Sequence, residues 1–248
     1  MKSQLKTVGR LLLLGATTVA VLTACGGSNP PALPTLDGKQ PLVVAHRGAS
    51  GYLPEQTYEA YVKAIDLGAD AIEPDLVSTQ DGVLIARHDP NLVYSTNVAD
   101  IAKFASRKKT VSVDGEVQTG WFASDFTLAE IKELGGVSTD SARPQQFNGA
   151  YKIATFQEII DLAKARSVNG RVVAVYPETK NTTYHRELGL PLEDKLIAIV
   201  KATGWNSKDA PIYIQSFEPS SLKYLKANGL NTKLIQLIDA DDVDLTTG

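Results

Sequence analysis

Short apolar runs alternate with longer amphipathic segments from Leu42 onward, a pattern typical of repeated βα units around a parallel sheet. Six of the apolar runs predict strands, over residues 42–46, 71–77, 83–88, 171–178, 212–217 and 233–238. Five amphipathic segments predict helices, over residues 55–67, 127–134, 155–166, 192–203 and 219–228. Glu130 follows Thr127 at the spacing of a capping box, which is a start signal for the second of these helices.

The polar stretch 91–124 has no strong hydrophobic period and is too long for a simple connection between two elements. We therefore expect it to form an inserted excursion on the rim of the sheet. Six strands are fewer than the eight that close a barrel of parallel strands. The pattern leaves two alternatives: an open sheet, or a barrel whose last two βα units are absent from this chain.

The N-terminal segment has the order of a secretory signal. Three basic residues precede an apolar run from Leu11 to Leu22, which is too short to span a bilayer, and small residues then precede Cys25. This order resembles a bacterial lipoprotein signal over residues 1–24, with cleavage before Cys25 and acylation of its thiol; the alternative is a stray cysteine after an ordinary signal. Residues 25–41 then predict a flexible tether, rich in glycine and proline, and residues 42–248 the folded domain.

Net charge and composition argue against some classes of protein. Lys and Arg total 25 against 28 Asp and Glu, a net charge of −3, so the chain lacks the basic excess of a general nucleic-acid binder. A hydrophobic content of 43% argues against intrinsic disorder. Loss of the basic N-terminal segment would make the chain more acidic, so attachment to a membrane would depend on the acyl chains. Such an anchor predicts a place in the bacterial cell envelope, in the periplasm or on the cell surface.

The first predicted strand ends in His46 and Arg47. In parallel α/β folds, ligands bind at the carboxyl ends of the strands, so these two side chains are expected to face a substrate. The guanidinium of Arg47 favours an anionic group. The alternative for His46 is a buried core histidine, which is the commoner fate of a lone imidazole.

The second predicted strand carries two carboxylates, Glu73 and Asp75. Side chains alternate along a strand, so these two share one face. Two carboxylates in an apolar context repel each other and lose solvation unless a cation lies between them. They are predicted ligands for a hard divalent ion, Ca²⁺ or Mg²⁺. The alternative is a solvated edge strand, because Pro74 cannot donate a hydrogen bond to a neighbouring strand.

Further polar side chains lie at the ends of the later predicted strands. His88 ends the third, and a pair of imidazoles can take complementary acid and base roles. Glu178 and Lys180 end the fourth on one face, which brings together a third oxygen ligand and a cation for a phosphate. Phe217 is a candidate wall of a substrate pocket, with core packing as the alternative. His185 is expected either at the pocket rim or in a solvated loop.

Four segments in this order resemble the glycerophosphodiester phosphodiesterase family, and in particular its periplasmic and surface-lipoprotein branch. They are AHRGASGYLPE at 45–55, EPDL at 73–76, HD at 88–89 and ETK at 178–180. The resemblance implies an α/β fold of the TIM-barrel type with a small insertion after the third strand, where residues 91–124 fit. Family members continue through a seventh and an eighth strand, so we expect the last two βα units to be missing from this chain.

The resemblance also assigns roles to seven of these residues. The general acid and base would be His46 and His88. The metal ligands would be Glu73, Asp75 and Glu178. The groups that neutralise the phosphate would be Arg47 and Lys180.

The implied reaction is the hydrolysis of glycerophosphodiesters to glycerol 3-phosphate and an alcohol, with one divalent cation, Ca²⁺ in preference to Mg²⁺. The attacking group would be a hydroxyl of the glycerol itself, which gives a cyclic phosphate that water then opens. The alternative function is an acylated surface protein that binds a ligand and carries a vestigial phosphodiesterase site. Many relatives have Asn where this chain has Gln56, so we expect the contact from that loop to be altered.

Overall fold

The structure, a computed structural model, describes residue 35 and residues 38–239. The chain divides into two units at Leu42, and every described helix and strand lies in the second unit. The strands are β1 (Val44–His46), β2 (Ala71–Glu73), β3 (Asp75–Ser78), β4 (Leu84–Ala86), β5 (Lys109–Val113), β6 (Glu116–Gly120), β7 (Ala174–Val175), β8 (Glu178–Thr179), β9 (Tyr213–Ser216) and β10 (Lys233–Gln236). The helices are α1 (Tyr58–Asp66), α2 (Leu128–Ile131), α3 (Phe156–Arg166), α4 (Thr182–Glu187), α5 (Leu192–Ala202) and α6 (Pro219–Ala227).

The predicted signal over residues 1–24, with the predicted acylation site Cys25, lies outside the described residues, as does most of the predicted tether. Within residue 35 and residues 38–239, no helix is both long enough and apolar enough to cross a membrane.

Two interrupted strands connect the main sheets. The predicted strand over 71–77 is broken at Pro74 into β2 and β3, and the strand over 171–178 is broken at Tyr176 and Pro177 into β7 and β8. Proline has no amide hydrogen to donate, which accounts for a break at each position. One sheet has the order β1-β2-β7 and the other β10-β9-β8-β3-β4, with parallel pairing throughout except between β3 and β4.

The third predicted strand is the exception, and the expectation of a parallel strand there is wrong. β4 pairs with β3 in antiparallel fashion. The five residues between them turn at Gly82, which has a φ of +76°, and the hydroxyl of Thr79 accepts from the amide of Val83 at 2.9 Å. So short a link forms a hairpin, whereas a parallel crossover needs a dozen or more residues. The end of β4 therefore returns to the start of β3, where the Arg87 amide donates to the carbonyl of Asp75 at 3.0 Å.

Helices cover one face of the strands, and the main core lies between. Ile72, Leu76 and Ile214 from three strands pack with Tyr61 of α1 and Leu196 of α5. The predicted capping box of the second helix is confirmed, since the Thr127 side chain and the Glu130 side chain each accept from the other residue's backbone amide. The opposite face of the strands curves around two cavities, and one of them contains the candidate site.

The polar stretch 91–124 forms short 3₁₀ turns followed by the β5–β6 hairpin. It carries part of a second apolar cluster, to which Leu92, Phe104 and Trp121 contribute. The indole of Trp121 donates to the carbonyl of Phe104 at 2.6 Å, so this ring packs inside the cluster.

Candidate active site

The candidate site is a cavity of about 420 Å³ where β1 and β2 end and β8 begins. Each strand brings one or two polar side chains to it in register. His46 lies beside Glu73, Asp75 beside Glu178, and Glu178 beside Gln215. Chain segments that are far apart in sequence thus meet at one edge of the sheet.

Three carboxylates form the centre of the site. Oxygens of Glu73, Asp75 and Glu178 lie within 4.8 Å of one another, and all three residues are buried. Burial is the largest cause that raises the pKa of Glu73, and the charge of Asp75 raises it further. Burial likewise raises the pKa of Asp75, with the charge of Glu178 as the next cause. Two buried acids whose ionisation is disfavoured, beside a third carboxylate, form the arrangement that a cation stabilises.

The oxygen atoms around this centre fit a hard divalent ion. Asp75 Oδ1 is buried and accepts a hydrogen bond from none of the described residues, so it is available to a ligand. Carboxylate oxygens are the donors that Ca²⁺ and Mg²⁺ prefer. Glu73, Asp75 and Glu178 could therefore hold such an ion, as the alternation along the strands predicts.

The two predicted catalytic histidines both line the cavity. Burial lowers the pKa of His46, and the charge of Arg47 lowers it further, so His46 is neutral at neutral pH. His88 reaches the site although its strand runs in the unexpected direction. Its Nε2 lies 3.3 Å from the ammonium of Lys180, and its Nδ1 lies 3.2 Å from the Asp89 carboxylate. An ammonium group can only donate, so Nε2 accepts from Lys180 and the imidazole hydrogen lies on Nδ1, toward Asp89.

The predicted phosphate-binding cations take different positions. Lys180 contacts Glu178 at 2.9 Å and lies 5.6 Å from the centre of the Phe217 ring, which is exposed on the cavity wall. Arg47 lines the cavity, but its guanidinium already contacts Glu55 at 3.2 Å and Asp75 at 3.3 Å. Its backbone amide donates to a Glu73 oxygen at 2.9 Å. Arg47 thus helps to hold the carboxylates in place, which the sequence pattern does not predict.

Two buried glutamines complete the site and are absent from the predicted set. Gln215 donates to Glu73 Oε1 at 3.0 Å, and Gln56 donates to Asp75 Oδ2 at 2.6 Å. Gln215 lies on β9, two residues before Phe217, so the period of the predicted strand over 212–217 could have identified it. Gln56 lies in a loop with no period, and its contact depends on the backbone conformation.

His185 is placed differently from both expectations. It lies on α4 with no exposed surface, so it is neither at the pocket rim nor in a solvated loop. Neither ring nitrogen has a hydrogen-bond partner among the residues described. Burial lowers its pKa to about 4, which keeps the ring neutral.

The residues of the candidate site lie within a stretch of the chain that matches a known protein family. The glycerophosphoryl diester phosphodiesterase family matches residues 46–247, most of the chain. The chain belongs to this family. Curated proteins that are similar to this chain carry the name of the same enzyme. Glycerophosphodiester phosphodiesterase GDPD6 of Arabidopsis thaliana is 42% identical over 224 residues, which are 86% of this chain and 59% of the plant protein. The glycerophosphodiester phosphodiesterase of Haemophilus influenzae is 30% identical, over 94% of this chain and 66% of that protein. The chain thus spans roughly three fifths to two thirds of these relatives.

Solved structures of the family share the fold. A phosphodiesterase of Oleispira antarctica, solved in complex with the product sn-glycerol-3-phosphate, matches with a TM-score of 0.58 and 21% identity, over 83% of this chain and 69% of that one. A glycerophosphoryl diester phosphodiesterase from Silicibacter pomeroyi matches with a TM-score of 0.62 and 21% identity, over 84% of this chain and 68% of that one. The predicted TIM-barrel fold class is therefore confirmed, although the strands within residues 38–239 do not close into a barrel.

Proposed function

We propose that this chain carries the active site of a metal-dependent phosphodiesterase that cleaves glycerophosphodiesters to glycerol 3-phosphate and an alcohol. One observation carries the proposal: three buried carboxylates have oxygens within 4.8 Å of one another, and two of them, Glu73 and Glu178, line a cavity together with two histidines and a lysine. The family and the product named for the Oleispira structure support the choice of substrate.

The charges in the cavity suit a phosphodiester. A divalent cation held by Glu73, Asp75 and Glu178 would polarise a phosphoryl oxygen and lower the pKa of a nearby hydroxyl. Lys180 lies at the cavity wall beside Phe217 and contacts Glu178 at 2.9 Å, and its ammonium would stabilise the negative charge that grows on the phosphoryl oxygens. We further propose Ca²⁺ in preference to Mg²⁺ for the metal, as the family resemblance suggests.

The two histidines have different surroundings, and these suggest different roles. His46 is neutral because burial and Arg47 lower its pKa, so it suits the base that takes a proton from the attacking hydroxyl. His88 lies between Lys180, from which its Nε2 accepts, and Asp89, which its Nδ1 faces. We assign the acid role to His88: once Nε2 has taken up a proton in place of the hydrogen bond from Lys180, it can pass that proton to the leaving alkoxide.

Turnover of glycerophosphocholine tests this function. The purified chain should release glycerol 3-phosphate, and EDTA should abolish the release until Ca²⁺ or Mg²⁺ is added in excess. Release that continues at an unchanged rate in EDTA would contradict the metal assignment. A folded protein that binds a divalent cation but releases no product would contradict the phosphodiesterase.

We also propose that acyl chains on Cys25 anchor the protein in the cell envelope, because the residues before it have the order of a lipoprotein signal. Expression in a bacterium, followed by mass spectrometry of the N-terminal peptide, tests this. A diacylglyceryl group on Cys25 that is absent from Cys25→Ser is the expected result. An unmodified thiol in the membrane fraction would contradict it.

A further inference from the structure

Gln56 occupies an unusual backbone position directly behind the carboxylates. Its φ is +61°, in the left-handed region that is uncommon for any residue other than glycine. Its amide donates to the carbonyl of Arg47 at 3.1 Å, and the next residue, Thr57, is the N-cap of α1. This conformation directs a fully buried side chain toward Asp75.

The side chain of Gln56 is held at both ends. Its Nε2 donates to Asp75 Oδ2 at 2.6 Å, and its Oε1 accepts from the hydroxyl of Tyr61. A rotation of the amide by 180° would bring Oε1 against the Asp75 oxygen and would turn the NH₂ group toward the Tyr61 hydroxyl. Burial and the charges of Glu73 and Asp75 raise the pKa of Tyr61 well above its ordinary value, so its hydroxyl keeps the proton that it donates.

The contact with Gln56 makes the two carboxylate oxygens of Asp75 different from each other. Oδ2 accepts from Gln56 and also lies 3.3 Å from Nε of Arg47, whereas Oδ1 has no hydrogen-bond partner among the described residues. Free rotation of the carboxylate would exchange these two oxygens. The contact with Gln56 removes that freedom before any ion arrives.

We propose that Tyr61 and Gln56 are positioning residues that act in series: Tyr61 fixes the amide of Gln56, and Gln56 fixes Asp75 so that Oδ1 faces the divalent cation. This inference rests on the proposed function only for the presence of a cation. Tyr61 itself is fully buried on α1 and is absent from the lining of the active-site cavity, so it influences the ion only through Gln56. Partners of this kind, which hold a ligand without touching the metal, typically change metal affinity 10- to 100-fold when they are removed.

Calorimetric titration of the intact, metal-free chain with Ca²⁺ and with Mg²⁺, without substrate, tests the series. Tyr61→Phe removes one hydroxyl and keeps the ring in the core. It should raise the Kd of the ion that the wild-type chain binds by about 10-fold. Tyr184→Phe is the matched control, because Tyr184 is also a buried tyrosine but lies in a separate apolar cluster. It should leave the Kd unchanged.

A double-mutant cycle separates positioning from a general loss of stability. Gln56→Leu should weaken binding at least as much as Tyr61→Phe, and the double variant should be no weaker than Gln56→Leu alone, because the hydroxyl then has nothing to orient. Losses that add would overturn the proposal, since they would mean that each change acts independently. If Tyr61→Phe is too unstable to titrate, Gln56→Leu carries the test by itself: it removes the amide that contacts Asp75, and an unchanged Kd would overturn the proposal.

The same titrations separate this inference from the phosphodiesterase. A wild-type Kd in Tyr61→Phe overturns the positioning series and leaves the enzyme proposal intact. A weakened Kd in Tyr61→Phe together with no turnover by the wild-type chain supports the series and contradicts the enzyme. Failure of the wild-type chain to bind either ion contradicts both.

Discussion

Two cavities on the inner face of the strands differ in chemistry although β1, β2 and β9 line both. One is the active-site cavity of about 420 Å³, toward the carboxyl ends of these three strands; the other, of about 450 Å³, lies toward their amino ends and is mostly apolar. Val44 and Tyr176 line both cavities. Two residues further along each strand, small or apolar side chains give way to polar ones: Ala71 is followed by Glu73, Ala174 by Tyr176 and then Glu178.

The two cavities differ in how much unfavourable electrostatic energy their side chains contribute to the folded state. Most side chains that line the apolar cavity need no polar partner, and several of them are exposed, such as Leu42 and Val172. The active-site cavity buries three carboxylates whose charges oppose one another. Such a cluster is unfavourable by itself and becomes favourable when a ligand compensates it, so function and instability are expected in the same half of the interior.

The largest expected effect of a single change in the polar half is on catalysis. His46→Asn and His88→Asn should each lower kcat by about 10²–10⁴-fold, because each removes a proton-transfer group. Cation affinity should change little, since neither ring belongs to the carboxylate cluster. Kinetics of glycerophosphocholine cleavage, with calorimetry as the control, measure both quantities. Retention of kcat within threefold in either variant would contradict the assigned roles.

A second prediction concerns stability against pH in EDTA. The pKa values of Glu73 and Asp75 are raised in the folded chain above their ordinary values of 4.5 and 3.8. The native state therefore binds more protons than the unfolded state above about pH 4, and the free energy of unfolding falls as pH rises. The loss between pH 5 and pH 8 should be on the order of 3 kcal/mol.

Urea unfolding of the metal-free chain at several pH values measures this loss. Glu73→Gln with Asp75→Asn should flatten the profile, and a saturating cation should restore the stability of the wild-type chain at pH 8. A metal-free chain that gains stability from pH 5 to pH 8 would contradict the electrostatic account of the cluster.

The smallest effect is expected in the apolar half. Val172 is 59% exposed, so Val172→Ser should change the free energy of unfolding by no more than about 0.5 kcal/mol. Cation affinity and kcat should stay at the wild-type level. A tenfold loss of affinity from this substitution would remove the distinction between the two halves.

The sequence predicts part of this arrangement because strand geometry is regular. Alternation along the second predicted strand places Glu73 and Asp75 on one side, and the structure keeps them there although Pro74 breaks that strand into β2 and β3. The same rule applies to Glu178 and Lys180. Other contacts depend on features that have no period. The hairpin at Gly82 reverses the third strand, because the short link leaves no room for a crossover, and length alone could have indicated this.

The contact of Gln56 is harder to predict. It requires a left-handed backbone at one loop residue and a hydroxyl that arrives from the next helix, and neither leaves a pattern in the residues around it. Arg47 is similar, since its position at the end of the first strand suggested an anion whereas its guanidinium contacts Glu55 and Asp75.

The central claim is that Glu73, Asp75 and Glu178 together hold one divalent cation, and a calorimetric titration of Glu178→Gln against the wild-type chain tests it most directly. The wild-type chain should bind one ion, Ca²⁺ or Mg²⁺. Glu178→Gln should weaken that binding by at least about 100-fold, because Glu178 would coordinate the ion directly, whereas Gln56 and Tyr61 affect it only through another residue. Glu187→Gln, which neutralises an exposed carboxylate on the neighbouring α4, should bind as the wild-type chain does. An unchanged Kd in Glu178→Gln would contradict the account.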